Sequence, residues 1–373
     1  MVANYFKVRV RNIKKRKYYV SLLSHSIFYC ATIGLFVSVS LAHTSVAQKI
    51  DINDAHVTAI EEIYHIQETI GKRVWPGWTT AKGSVPFLLK TRDHDFLLYH
   101  PHPPSDFKRI KSKKIDLLYI RKNLDSTDFQ TIQKLAGIQT VVMTEPSPDL
   151  EVQRWILAAI HEMFHAWQMP QLESNSELNR LFTTNVGQYD NYNDLNFPFE
   201  YSNDLAMAAC RIESDRVFNI LTNGNLNDSD RRVFKKLFFD IFKIQQAVID
   251  DSLKYAYKQK TEWVEGVARY VEASVRLTLA RDKDFRYMER FQKTYPNEIY
   301  FGDETQILPQ YINPVKFVGE GVRFRVMFYY SGMGKAFMLD KLIPNWKAKY
   351  FTNTLDAIIA ENQELNRFYK VQR

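Results

Sequence analysis

From Leu150 to Met169 the chain contains neither glycine nor proline, and between Ile156 and Trp167 every residue is apolar except His161, Glu162 and His165. A helix that is apolar on nearly all sides is a buried helix. Ser147-Pro148-Asp149 gives it a start: a capping hydroxyl, a proline at the first helical position and an acid in the first turn. Such a helix obliges the rest of the chain to cover it. It also carries two imidazoles and a carboxylate into a place where polar groups are costly without partners.

A metal ion is an economical partner for that set. Side chains four apart lie on one helix face, so His161 and His165 can offer two nitrogens to one cation. Glu162 follows a ligand directly and stands beside the metal without filling a coordination position. It is thereby placed to take a proton from zinc-bound water. Catalytic zinc wants three protein ligands and one open position, so another His, Asp or Glu is required. The leading candidate is Glu265, in Glu262-Trp263-Val264-Glu265-Gly266-Val267-Ala268-Arg269-Tyr270-Val271-Glu272. Glycine within a helix costs about 1 kcal/mol relative to alanine, so Gly266 needs a reason. Close crossing over the histidine helix is one, and Ala268 keeps that side thin. Glu200, Asp204 and Glu213 compete, being nearer to His165 in sequence. Glu213 and Glu272 are alternatively residues that orient a ligand imidazole through its other nitrogen, or exposed acids paired with Arg216 or Arg276.

The net charge of +8 over 373 residues does not describe a basic body. Lys7, Arg9, Arg11, Lys14, Lys15, Arg16 and Lys17 supply most of it, no acid precedes Asp51, and the remainder is close to neutral. Nucleic acid is therefore not an expected partner. The basic cluster precedes an apolar stretch from Tyr18 to Ala42 and then Ser45-Val46-Ala47, which suits signal-peptidase cleavage after Ala47. Residues 1–47 read as a signal peptide, or as an uncleaved anchor that would be the chain's one membrane contact. Both place the body outside the cytoplasm, periplasmic or extracellular. Beyond Cys30 in the apolar stretch only Cys210 remains, so no intrachain disulfide forms and Cys210 reads as a small buried apolar residue.

The expected fold class is α+β and predominantly helical. Residues 48–146 read as a small mixed region: a helix from Asp54 to Lys72, a turn at Trp75-Pro76-Gly77-Trp78, and β-rich runs at Val85–Leu89, Phe96–Tyr99, Ile115–Ile120 and Gln139–Met143, with a helix at Ser126–Leu135. Residues 147–373 read as a helical lobe, with helices near Asn203–Leu221, Asp228–Lys258, Glu262–Leu279, Gly334–Leu342 and Thr354–Phe368, and an irregular segment over 284–325. His94, His100 and His102 read as a turn at a strand end rather than a metal site. Arg323 and Arg325 read either as anchors for a substrate carboxylate or as outward strand positions.

A His-Glu-x-x-His helix followed on a later helix by Glu-Gly-x-Ala-x-Tyr-x-Glu resembles the gluzincin zinc metallopeptidases, including the aminopeptidase N type. The resemblance implies a zincin-like catalytic lobe with the sheet packed on it, Zn²⁺ on His161, His165 and Glu265, and Glu162 as general base. Tyr329-Tyr330-Ser331-Gly332 is similar to the Tyr-x-x-Gly segment whose tyrosine stabilises the oxyanion; it points to Tyr329, with Tyr330 one register away. A peptide or protein substrate follows from the resemblance, as does an extended peptide pairing with the edge of the 139–143 strand. Two features depart from the family. Glu265 follows His165 at a longer interval, and the Gly-x-Met-x-Asn signature that reads a free amino terminus is absent. The expectation is an exported zinc-dependent hydrolase, with a metal-free binding protein of similar fold and a zinc hydrolase of non-peptide amides or esters as the alternatives.

Overall fold

The protein is described by a computed structural model over residues 51–78, 85–123, 130–146, 151–174, 197, 199, 201–222, 227–249, 252–297, 302–319 and 324–361. The signal or anchor segment, the Ser147-Pro148-Asp149 helix start, Glu200 and Arg323 lie outside the described residues. Among the described residues no helix is long and apolar enough to cross a membrane.

The class is α+β with a mixed six-stranded sheet. Helix α1 (Asp54–Ile66) is capped by the Asn53 side chain and runs into a π turn, Gln67–Gly71, and one further turn to Val74. Trp75-Pro76-Gly77-Trp78 then forms the expected turn: Trp78 N–H donates to Trp75 O at 3.1 Å, and Gly77 takes φ +81°. Proline at the second position and a left-handed glycine at the third make it a type II turn.

The strands are β1 (Phe87–Lys90), β2 (His94–Leu98), β3 (Lys108–Ile110), β4 (Leu118–Lys122), β5 (Thr131–Leu135) and β6 (Ile138–Thr144). Their order is β3-β4-β2-β1-β6-β5, with β1 and β6 parallel and the other neighbours antiparallel. Alternation divides the sheet into two faces. Phe87, Leu89, Phe96, Leu98, Leu118, Ile120, Val141 and Met143 join the main core, while Leu88, Leu97, Tyr119, Val142 and Leu135 form a smaller cluster with Phe107.

Two expectations for this region are overturned. Thr131–Leu135 is a strand and not the end of a helix. It pairs with β6 through a turn in which Ala136 (φ +42°) and Gly137 (φ +85°) are both left-handed, the two-residue geometry that suits hairpin twist. Consequently the 139–143 strand has no free edge to offer a peptide. It is flanked by β1 and β5, and the sheet ends at β3 and β5.

The histidine helix, α2 (Val152–Ser174), packs on the main face of the sheet and continues through Pro170. The Trp155 indole donates to Thr144 O at 2.8 Å and meets Phe87 with ring centroids 5.9 Å apart. These contacts fix the start of α2 against the end of β6. The chain continues through α3 (Asp204–Thr222), α4 (Asp228–Val248) and α5 (Ser252–Thr261), the last running through a π turn, Glu262–Gly266, into α6 (Val267–Arg281), and it is α6, with α1, that packs against α2. The expected single helix over Asp228–Lys258 is two, because the backbone turns out of helical conformation at Ile249.

Residues 284–325 are not irregular throughout: they hold α7 (Glu289–Thr294) and α8 (Glu304–Lys316). Pro309 and Pro314 lie inside α8, which persists because Ile307, Tyr311, Ile312 and Val315 are buried along one side. Helix α9 spans Val326–Leu342, so Tyr329 to Gly332 lie inside it and not ahead of it. Helix α10 (Leu355–Ala360) ends at a left-handed Glu361, and residues 362–373 lie outside the described residues.

Gly266 does mark a close helix crossing, but the partner is α9 and not the histidine helix. A Cβ on Gly266 would stand 2.5 Å from Gly332 Cα, and a Cβ on Gly332 would run into the Glu262 backbone. The two glycines therefore explain each other.

Candidate metal centre

Helix α2 turns His161 and His165 toward α6, and each ring has one nitrogen committed to the protein. His165 Nδ1 lies 2.9 Å from Gln168 Oε1. The Gln168 amide nitrogen donates in turn to Tyr350 Oη and, at 3.5 Å, to the carbonyls of Trp263 and Val264. Those carbonyls belong to the π turn that carries Glu265, so one amide ties that turn to the histidine helix. His161 Nδ1 faces Glu272 Oε2 at 3.5 Å. Glu272 is gripped by Arg269 Nη1 at 2.6 and 2.9 Å, with the Tyr311 hydroxyl at 3.4 Å.

With both Nδ1 atoms engaged, both Nε2 atoms point to one place. They are 3.0 Å apart, and Glu265 Oε2 lies 3.6 Å from His161 Nε2 and 3.4 Å from His165 Nε2. A triangle of those sides has its corners about 1.9 Å from a common centre, so an ion at the ~2.0–2.1 Å typical of zinc ligands sits just off its plane. Nitrogen, nitrogen and carboxylate oxygen are a donor set that zinc accepts. His161, His165 and Glu265 are the group so arranged among the described residues.

The electrostatics agree with a cation-binding pocket. His161 (8 % exposed) and His165 (5 %) are buried. Burial alone would lower the His161 pKa, but the Glu265 and Glu272 carboxylates override it and raise it to about 10. Burial pushes the Glu265 carboxyl up, yet His165 and His161 hold it well below the usual carboxylate range. The Glu265 carboxylate therefore stays ionised. Glu162 behaves differently: burial raises its pKa, His161 and His165 pull it back, and Glu265 and Glu272 push it up again. A carboxylate with a raised pKa is a better proton acceptor than an exposed one.

The tyrosines separate. Tyr329 Oη accepts from Arg325 Nε at 3.1 Å and interacts with the Glu265 carboxylate; burial and that carboxylate push its phenol upward. Tyr330 is half-buried and lies toward Arg269, on the Glu272 side. Arg325 is the residue that sequence reasoning undervalued. Its Nη2 donates to Glu265 Oε1 at 2.9 Å, leaving Oε2 for the imidazole side. It adjoins the start of α9 and points inward, not outward from a strand.

Of the competing carboxylates, Asp204 lies in the exposed first turn of α3. Glu213 is buried elsewhere, against Lys335 Nζ at 2.6 Å and Lys258 Nζ at 3.2 Å. Those lysines also meet Glu262, and Lys335 meets Asp356, so Glu213 belongs to a buried ionic cluster and not to the metal centre. That cluster anchors Glu262, three residues before Glu265, where Ser331 of α9 also donates to Glu262 Oε1 at 2.6 Å. Cys210 is buried and unpaired, as expected. His100 holds a turn, with its Nε2 3.1 Å from Leu135 O and its Nδ1 accepting from His102 N–H at 3.2 Å. Comparison with models of protein families, with curated proteins and with solved structures gave no match, so the centre's chemistry rests on its own geometry.

Proposed function

We propose that the chain is an exported zinc-dependent hydrolase that cleaves peptide bonds, with a zincin-like arrangement of sheet and helices around α2. The observation that carries this reading is the convergence of His161 Nε2, His165 Nε2 and Glu265 Oε2 beside a half-buried carboxylate, Glu162, that is not one of the three. Zinc held by such a set supplies a Lewis acid and brings the pKa of bound water toward ~7.

The chain's own residues do the rest. Glu162 accepts the proton of the attacking water and returns it to the leaving amine, a task that its raised pKa favours. Glu272 and Gln168 hold the two imidazoles with Nε2 forward. Tyr329 keeps its phenol proton well above neutral pH, so it remains a hydrogen-bond donor for the developing oxyanion, and it is the nearer of the two tyrosines to Glu265. Tyr330, beside Arg269, takes no part in that step. The resemblance of the motif to gluzincins supports the same assignment.

Purified protein should carry about one zinc per chain by elemental analysis. Glu162→Gln should keep the metal while peptide hydrolysis falls roughly 10²–10⁴-fold. Glu265→Ala should lose zinc. Protein that stays metal-free in the presence of zinc removes the basis of the reading.

A further inference from the structure

The guanidinium of Arg325 has three faces, and two are in use. Nε donates to Tyr329 Oη at 3.1 Å and Nη2 to Glu265 Oε1 at 2.9 Å. Nη1 is buried and has no hydrogen-bond partner among the described residues. An unpaired donor in a buried site is costly, and a guanidinium left half-used beside a candidate metal centre has a donor to spare for a ligand.

The residues on either side of Arg325 are apolar and exposed. Phe324, the residue before it, is 69 % exposed and takes φ +63°. A bulky residue in the left-handed region is held there at a cost, and such strain concentrates at functional positions. Its ring meets Tyr201 with centroids 5.4 Å apart, and Tyr201 hydrogen-bonds Tyr257 on the same side as Arg325. Val326, 46 % exposed, continues the apolar rim.

Charge decides what kind of group the spare donor would take. Glu272 is matched by Arg269. Once Glu265 and Glu162 are set against a divalent cation, the Arg325 charge is left over. A carbonyl oxygen would leave that charge unmatched, whereas a carboxylate accepts a charge-assisted hydrogen bond from Nη1 and neutralises the excess charge.

We propose that Arg325 is a specificity-determining residue that binds a carboxylate of the substrate, with Phe324 and Tyr201 receiving an apolar group beside it. The substrate class is then a peptide or acyl-amino acid whose free carboxylate lies next to the scissile amide. This rests on the zinc-hydrolase reading above.

Binding separates the two ideas without relying on turnover. Zinc-loaded protein is titrated calorimetrically with a benzyl-substituted mercaptopropanoic acid and with its primary amide, which share the metal-binding thiol and the apolar group. The acid should bind roughly 10- to 100-fold more tightly than the amide, the worth of a hydrogen-bonded charged contact. In Arg325→Gln, with zinc content measured alongside, acid and amide should bind equally; Arg325→Lys should recover part of the preference. Equal binding of acid and amide to the zinc-loaded wild type overturns the Arg325 assignment and leaves the zinc reading standing. A preparation that takes up no zinc overturns both. If Arg325→Gln fails to fold or to hold zinc, the acid-to-amide ratio of the wild type still decides.

Discussion

At the scale of single residues, the centre is built from orientation more than from ligand identity. Two histidines four apart are available to any helix, but only fixed Nδ1 atoms turn both Nε2 atoms onto one point. Gln168 does this for His165 and, through the carbonyls of Trp263 and Val264, registers the Glu265 turn against α2. Gln168→Ala should therefore weaken zinc binding about 10–100-fold, the usual cost of removing such a partner. Competition with a chromophoric chelator measures it, with Glu162→Gln as the variant whose affinity stays near wild type. Unchanged affinity in Gln168→Ala would make the glutamine a packing residue. His161 and His165 are legible in the sequence because helical periodicity alone puts them on one face, and Glu162 because it follows His161 directly. Gln168 and Arg325 are not: the carbonyls that bind Gln168 lie 95 and 96 residues away, and Glu265 is 60 residues from Arg325. No local pattern encodes those pairs.

At the scale of elements, the position of Glu265, the proposed third ligand, depends on two glycines. The π turn Glu262–Gly266 meets α9 backbone to backbone, and on Gly266 a Cβ would stand 2.5 Å from Gly332 Cα, 2.8 Å from its carbonyl carbon and 3.0 Å from Met333 N. Backbone atoms cannot step aside as a side chain can. Gly266→Ala should destabilise the protein by about 1–3 kcal/mol or more and loosen zinc as Glu265 moves. Gly334 is the internal comparison, since its added Cβ meets only the methyl groups of Val217 and Val315 at 3.0 Å. Gly334→Ala should cost less in thermal unfolding and leave zinc affinity unchanged; equal losses of zinc in both variants would separate the crossing from the ligand. The sequence signalled that Gly266 needed a close neighbour but pointed to the histidine helix, because the true neighbour's own reason for being glycine is the same contact. Elsewhere the long amphipathic segments were readable. Thr131–Leu135 was not: its pairing is decided by a turn that places Ala136 at positive φ, which alanine does not advertise.

At the scale of the whole molecule, buried ionisable groups pull stability in opposite directions with pH. Asp356 and Glu265 are held below their usual pKa values despite burial, Asp356 by Lys335 and Lys258, and Glu265 by His165 and His161. Each contributes stability that is present above the unfolded carboxylate pKa and is lost as pH falls. Glu62 has the other sign. It is buried on α1, where its Oε2 accepts from Met288 N–H at 3.0 Å and its Oε1 has no hydrogen-bond partner among the described residues, and burial raises its pKa from 4.5 to about 7. Its protonated form is favoured by the fold, so its contribution is complete below pH ~4.5 and disappears as pH rises through ~7, on the order of 3 kcal/mol in all. The molecule should then be most stable on the acid side of neutrality. Glu62→Gln keeps an acceptor for Met288 and removes the titration, so its melting temperature should exceed wild type by roughly a few degrees at about pH 8 and match it near pH 5. Measuring the two proteins as a pair cancels the pH dependence of metal binding, which both share. A difference that is constant across that range would mean that Glu62 stays in one protonation state, and that the alkaline loss of stability arises elsewhere.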